Sequence, residues 1–231
     1  MKTVTATNRQ IQILKRFTSV RQRTLDLCRP LTPEDMMVQA SPESSPAKWH
    51  LAHTAWFFES FVLREFLGGY RLFNGDFEWL FNSYYRSFAE FPEKRLRSSF
   101  SRPALEEILR YRAHVDEAVV RLMEGEVEQE VLSRIELGVN HEEQHQELLL
   151  TDVLIAFFTN PLRPAYLAEE KDQESTSEKV NAARFVRSEG GLVEVGSREE
   201  GFCYDNELPR HRVWLEPFEL GEGLVTNREF A

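Results

Sequence analysis

The chain has 231 residues, 42% of them hydrophobic, and its 38 Asp and Glu against 28 Lys and Arg give a formal net charge of -10. This composition supports a folded core and excludes disorder along the whole length, while the acidic balance sets aside nucleic acid and anionic membrane surfaces as partners. No segment approaches the roughly 18 consecutive apolar residues of a spanning helix, and "MKTVTATNRQ" lacks the apolar stretch of a signal peptide, so a cytoplasmic protein is expected.

From Asn8 to about Cys28, Ile11, Leu14, Phe17, Val20 and Leu25 recur at helical spacing and predict an amphipathic helix. "RPLTPEDM" interrupts it, with Thr32 as a candidate cap for one further helical turn. A second long helix is predicted to begin where Ser45 precedes Pro46 and to stop at Gly68 and Gly69. Residues 70–102 show no sustained period and mix aromatics with Gly, Asn and Pro, which predicts a long connection over one end of a bundle. "RPALEEILRYRAHVDEAVVRLMEG" predicts a third helix through Leu105, Ile108, Leu109, Val115, Val119 and Leu122. A fourth runs from 127 to about 158 without a proline. Four long helices with a tight final turn predict a mainly α protein, with a four-helix bundle over 8–160. A polar linker follows over 161–183, and residues 184–231, with short apolar runs split by Gly and Pro, read as the β-rich start of a second domain that can bury little alone.

Cys28 and Cys203 form no metal knuckle, so any metal must be held by His and carboxylates. Four of the six histidines fall in two tight pairs, His50/His53 and His141/His145, and His114 reads as structural. On a helix, residues four apart share a face, so His141 and His145 can reach one ion, with Leu137, Gly138, Leu148 and Asp152 expected on the same inward face. Gly138 there offers room for a ligand. The second helix supplies a third imidazole, either His53, between Trp49 and Trp56, or His50, and only one of them is expected to point fully inward. Three neutral imidazoles suit iron, zinc, copper or nickel.

"HEEQH" also matches the zinc-protease pattern H-E-x-x-H, in which Glu142 would be the base. A protease would need a downstream third ligand, and only Glu169 and Glu170, in a charged proline-flanked stretch, are offered.

Three segments in order, "SPAKWHLAHTAWFFESFVL", "HEEQHQELLLTD" and "FCYDNELPRHRVWLEPFELGEGLVTNREF", resemble the ergothioneine-biosynthesis sulfoxide synthases, from about Arg21 to the last residue. The resemblance implies a DinB-like four-helix bundle followed by the N-terminal fragment of a formylglycine-generating-enzyme-like (α+β) domain. It implies Fe(II) held by His53, His141 and His145, which decides against His50, and a non-haem reaction of dioxygen, a cysteine or γ-glutamylcysteine thiol and N-α-trimethylhistidine to a sulfoxide. Gln144 takes the position that contacts trimethylhistidine, and Arg97, with Arg95 as the alternative, the position that binds the carboxylates of the thiol substrate. Glu147 is then a carboxylate that orients a ligand imidazole. Tyr84, Tyr85, Trp49 and Trp56 are candidate wall residues for the quaternary ammonium. Asp205, Asn206 and Glu207 are structural in such a domain. The family's domain is several times longer than the stretch matched, and its later segments supply the catalytic tyrosine. The resemblance therefore leaves the catalytic residue unknown and implies a truncated chain of impaired activity, or one completed by a second polypeptide. Two rivals remain: a DinB-like metal-dependent thiol transferase, and a non-catalytic metal-binding remnant.

Overall fold

The computed structural model describes residues 8–83, 92–167 and 184–230, so Tyr84 and Tyr85 lie outside the described residues. The chain is mainly helical and divides into two compact units, Met1–Glu169 and Glu170–Ala231.

In the first unit, α1 (Asn8–Cys28), α2 (Ala47–Phe58), α5 (Leu105–Leu122) and α6 (Gln129–Thr159) pack together, α1 against α6 and α2 against both α5 and α6. Every residue of α2 is buried, which makes it the central helix. It continues through a π-helical turn, Glu59–Leu63, into the short α3 (Arg64–Phe66), and Gly69 then reverses the chain at φ +74°. The core is built on Phe17, Leu51, Trp56, Phe58, Leu63, Ile108, Tyr111, Ile135 and Leu149. No helix among the described residues is long and apolar enough to cross a membrane.

Several inward faces differ from the apolar stripes read in the sequence. On α1 the buried face is Gln10, Ile13, Phe17, Val20, Arg21, Thr24 and Leu27, whereas Ile11 is exposed. The polar members of that face are paired inside the bundle, so hydrophobic spacing alone sets its register wrongly. On α6 the inward line is Val131, Ile135, Gly138, Glu142, Leu149 and Val153, and Leu137 and Leu148 lie outside it. Ser45 does not cap α2. Pro46 occupies that position, and the Ser45 N–H donates to Asp152 Oδ2 at 2.8 Å. Glu34 holds the cap position of the short turn at Asp35–Met37, and Thr32 supports that turn from two residues before it, its hydroxyl accepting the Asp35 N–H at 3.1 Å.

The connection between α3 and α5 is described over 67–83 and 92–104. It contains α4 (Phe77–Leu80) and a 3₁₀ segment, Lys94–Ser99, with Phe77 and Phe81 buried. After α6, the stretch 161–167 stays exposed except at Tyr166. The Tyr166 hydroxyl donates to the Leu27 carbonyl at 2.6 Å, which returns this stretch to the bundle.

In the second unit, β1 (Phe185–Ser188) pairs antiparallel with β4 (Phe218–Gly221), and β2 (Gly191–Val195) with β3 (His211–Leu215). The two ladders share one register and read as a single ribbon interrupted at Gly190, where φ is +68° and an added Cβ would lie 2.2 Å from the Leu215 carbonyl oxygen. Phe185, Leu192, Trp214 and Leu220 are exposed on it, as expected of so short a β-region. A last short helix, α7 (Asn227–Phe230), is capped by Thr226.

Candidate metal centre

One nitrogen from each of His53, His141 and His145 lies within 4.8 Å of the other two. Some point is then no more than about 2.8 Å from all three, against roughly 2.0–2.1 Å for a metal–imidazole bond, so an inward shift of under an ångström brings the three onto one ion. Among the described residues this is the one such cluster of three.

His53 sits between indoles, stacked on Trp49 with centroids 4.4 Å apart and on Trp56 at 5.3 Å. Its Nδ1 donates to the Phe81 carbonyl at 2.6 Å, which leaves Nε2 as the lone-pair nitrogen. His141 lies against the Phe57 ring, and its Nδ1 is buried with no hydrogen-bond partner among the described residues. Burial lowers the pKa of all three imidazoles, that of His141 to about 4 and those of His53 and His145 well below the usual value. All are neutral near pH 7, as metal ligands must be. Neutral imidazoles, a buried orphan nitrogen and the absence of any carboxylate from the trio fit a divalent transition metal.

Both histidines of α2 are buried, contrary to the expectation that only one turns inward. His50 stands one step behind the trio: its Nδ1 is 2.9 Å from His145 Nδ1, and its Nε2 donates to Asp152 Oδ2 at 2.9 Å. His114 lies elsewhere, bonded to the Arg71 carbonyl at 3.2 Å.

Glu142 lies at the centre of a buried ionic cluster that sequence reasoning missed. Its carboxylate accepts from Arg21 Nη1 and Arg112 Nη2, each at 2.9 Å, and from the Thr24 hydroxyl at 2.6 Å. Arg21 also donates to Asp116 at 2.6 Å, and Arg112 to the Leu51 carbonyl at 2.9 Å and the Thr54 hydroxyl at 2.8 Å. Burial pushes the Glu142 carboxyl up, but the two guanidinium groups outweigh it and hold the group at about 2. A carboxylate committed to two arginines cannot serve as a protease base, so the H-E-x-x-H reading is closed. Its signal in the sequence was indirect: arginines on the inward faces of α1 and α5, where the helical period called for apolar residues.

Gly138 makes room for aromatic rings rather than a ligand, since a Cβ there would lie 2.5 Å from the Phe58 ring and 3.0 Å from that of Phe57. Glu147 does not meet its expected role. At 100° per residue it points about 120° away from His141 and about 160° away from His145, and it is exposed. The carboxylate behind the imidazoles is that of Asp152. Gln144 is exposed on the flank of α6 beside His145. Arg97 is buried next to the centre, its guanidinium 3.4 Å from the Trp49 ring centroid and donating to Ser45 Oγ at 2.7 Å. Burial lowers its pKa to about 10, which leaves it charged. Arg95 is exposed and paired with Glu93. Trp49 carries His53 on its ring and Arg97 over it, and Trp56 is wholly buried, so neither indole is a free wall for a ligand cation.

A four-helix bundle with three convergent imidazoles, two from one helix at i and i+4 and one from a facing helix, defines a class of helical metal-site proteins. Residues 16–149 match the DinB superfamily, whose members are often metal-binding, and the chain belongs to that superfamily. No match was found among the curated proteins.

Proposed function

We propose that the protein is a non-haem Fe(II)- and O2-dependent sulfoxide synthase, joining a cysteine or γ-glutamylcysteine thiol to N-α-trimethylhistidine, with His53, His141 and His145 as the iron ligands. The observation that carries this reading is the convergence of those three imidazoles beside a buried, charged Arg97. The three quoted segments that resemble the sulfoxide synthases add the chemistry, because a helical metal site alone does not name a reaction. The family match over the bundle accords with it and with metal-dependent thiol transfer equally.

Bound iron would supply redox chemistry and coordination positions for the thiolate and dioxygen. The residues of the chain position the rest. Neutral His53, His141 and His145 offer lone pairs without adding charge to a buried site. Among the described residues Arg97 donates to Ser45 alone, and its other donors pair with a substrate carboxylate entering beside Trp49. Gln144, on the exposed side of His145, contacts the trimethylhistidine. Stacked indoles around His53 exclude water from that ligand.

The test is anaerobic reconstitution with Fe(II), followed by O2 uptake with each substrate alone and with both. Uptake that requires both, with a sulfoxide product by mass spectrometry, supports the proposal. Zinc-dependent thiol transfer without O2 uptake would replace it with the transferase reading, and metal binding without turnover would leave a binding protein.

A further inference from the structure

We propose that Asp152 and His50 are positioning residues, a directed hydrogen-bond chain that holds His145 in its Nδ1–H form and so presents its Nε2 lone pair to the metal. The inference rests on the metal-site reading and assigns two residues that the family resemblance does not use.

The proton order follows from donor and acceptor accounting along three groups. A carboxylate only accepts, so the 2.9 Å contact between His50 Nε2 and Asp152 Oδ2 requires a proton on Nε2 of His50. Neutral His50 then keeps a bare lone pair at Nδ1. That lone pair faces His145 Nδ1 at 2.9 Å, so the proton between them belongs to His145. His145 Nε2 is left bare. The reverse order would set the Nε2 lone pair of His50 against a carboxylate oxygen, two acceptors at hydrogen-bond distance, which is costly in a buried site.

The far end of the chain is itself fixed. Asp152 Oδ2 accepts the Ser45 N–H at 2.8 Å, and Ser45 Oγ accepts from buried Arg97 at 2.7 Å. His53 is set in the same sense by a separate device, the Phe81 carbonyl. Two of the three imidazoles are thus tautomer-locked before any ion arrives. His141, whose Nδ1 has no partner among the described residues, is the one left for the ion to order. Partners behind a metal-bound imidazole fix its orientation and raise its basicity, and their loss costs about 10–100-fold in affinity.

The experiment uses the full chain, with Fe(II) under anaerobic conditions and Zn(II) in competition with a chromophoric chelator. His50→Phe keeps a ring but removes both nitrogens, and Asp152→Ala removes the acceptor. Both are expected to bind either metal about 10–100-fold more weakly than wild type while keeping its helical circular dichroism. Long-range 1H–15N correlation of the metal-free wild type should find His145 protonated at Nδ1, and Asp152→Ala should give a tautomer mixture. His145 protonated at Nε2 in the wild type would overturn the proposal, as would folded variants with affinity within twofold of it. His141→Ala separates the two readings. If it keeps one equivalent of metal, the site assignment itself fails, whereas if it loses the metal and His50→Phe does not, only the chain of hydrogen bonds fails.

Discussion

Arg112 donates to the Glu142 carboxylate at 2.9 Å with neither side chain open to solvent, one residue along the helix from His141. The pair links α5 to α6, and Arg21 extends it to α1, so the backbone carrying one candidate ligand is held by charges rather than by apolar packing alone. A buried charge of this kind is stable only while every member has its partner.

Glu142→Gln is therefore expected to destabilise the bundle by about 3–5 kcal/mol, because it leaves Arg112 buried without an anionic partner, whereas Arg112→Met, which leaves Glu142 paired with Arg21, should cost less. Urea unfolding followed by circular dichroism measures this. The double substitution should cost less than the sum of the single ones, and strict additivity would show that the two groups are not coupled.

Gly138→Ala puts two effects in opposition. Helix propensity favours Ala by roughly 1 kcal/mol. The added methyl, however, would stand 2.5 Å from the buried Phe58 ring, and overpacking typically costs about 1–3 kcal/mol. We expect net destabilisation in the same unfolding assay, and a variant as stable as wild type would contradict the close approach of α6 to α2.

Much of the bundle was legible in the sequence, and the reasons for the misses are specific. Helices α1, α2, α5 and α6 declare themselves by length and by punctuation such as Pro46, Gly69 and Gly125. Their inward faces did not, because Gln10, Arg21, Thr24, Arg112 and Glu142 are buried in mutual contacts that a hydrophobic period cannot register. The trio His53, His141 and His145 was accessible from i, i+4 spacing plus a third histidine, but the choice of His53 over His50 needed the family resemblance. Neither spacing nor resemblance could show that His50 is also buried, or that Asp152, well along α6 from His141, supplies the carboxylate behind it. The connection 70–102 hid its role for a related reason: it contributes a backbone carbonyl at Phe81 and the side chain of Arg97, features without a periodic signature.

Cys28 should behave as an inert thiol. Burial pushes its pKa up to about 11, and the side chain is nearly closed to solvent. At pH 8 it should resist iodoacetamide in the folded protein and react once the chain is unfolded, as read by peptide mass spectrometry. Rapid native labelling would show that the end of α1 is open.

Arg97→Met retains the stem over Trp49 and removes the charge. If Arg97 binds a substrate carboxylate, KM for the thiol should rise about 10–100-fold, the equivalent of one charge-assisted hydrogen bond, with iron content unchanged. An effect on kcat alone would place the arginine in a different role.

Whether the three imidazoles hold one ion is read from metal stoichiometry in four proteins, the wild type and His53→Ala, His141→Ala and His145→Ala, each reconstituted anaerobically and analysed by inductively coupled plasma mass spectrometry. One equivalent is expected for the wild type, with a loss of most of it in each variant and a metal-dependent rise in melting temperature for the wild type alone. One equivalent retained by all three variants would contradict the three-imidazole site.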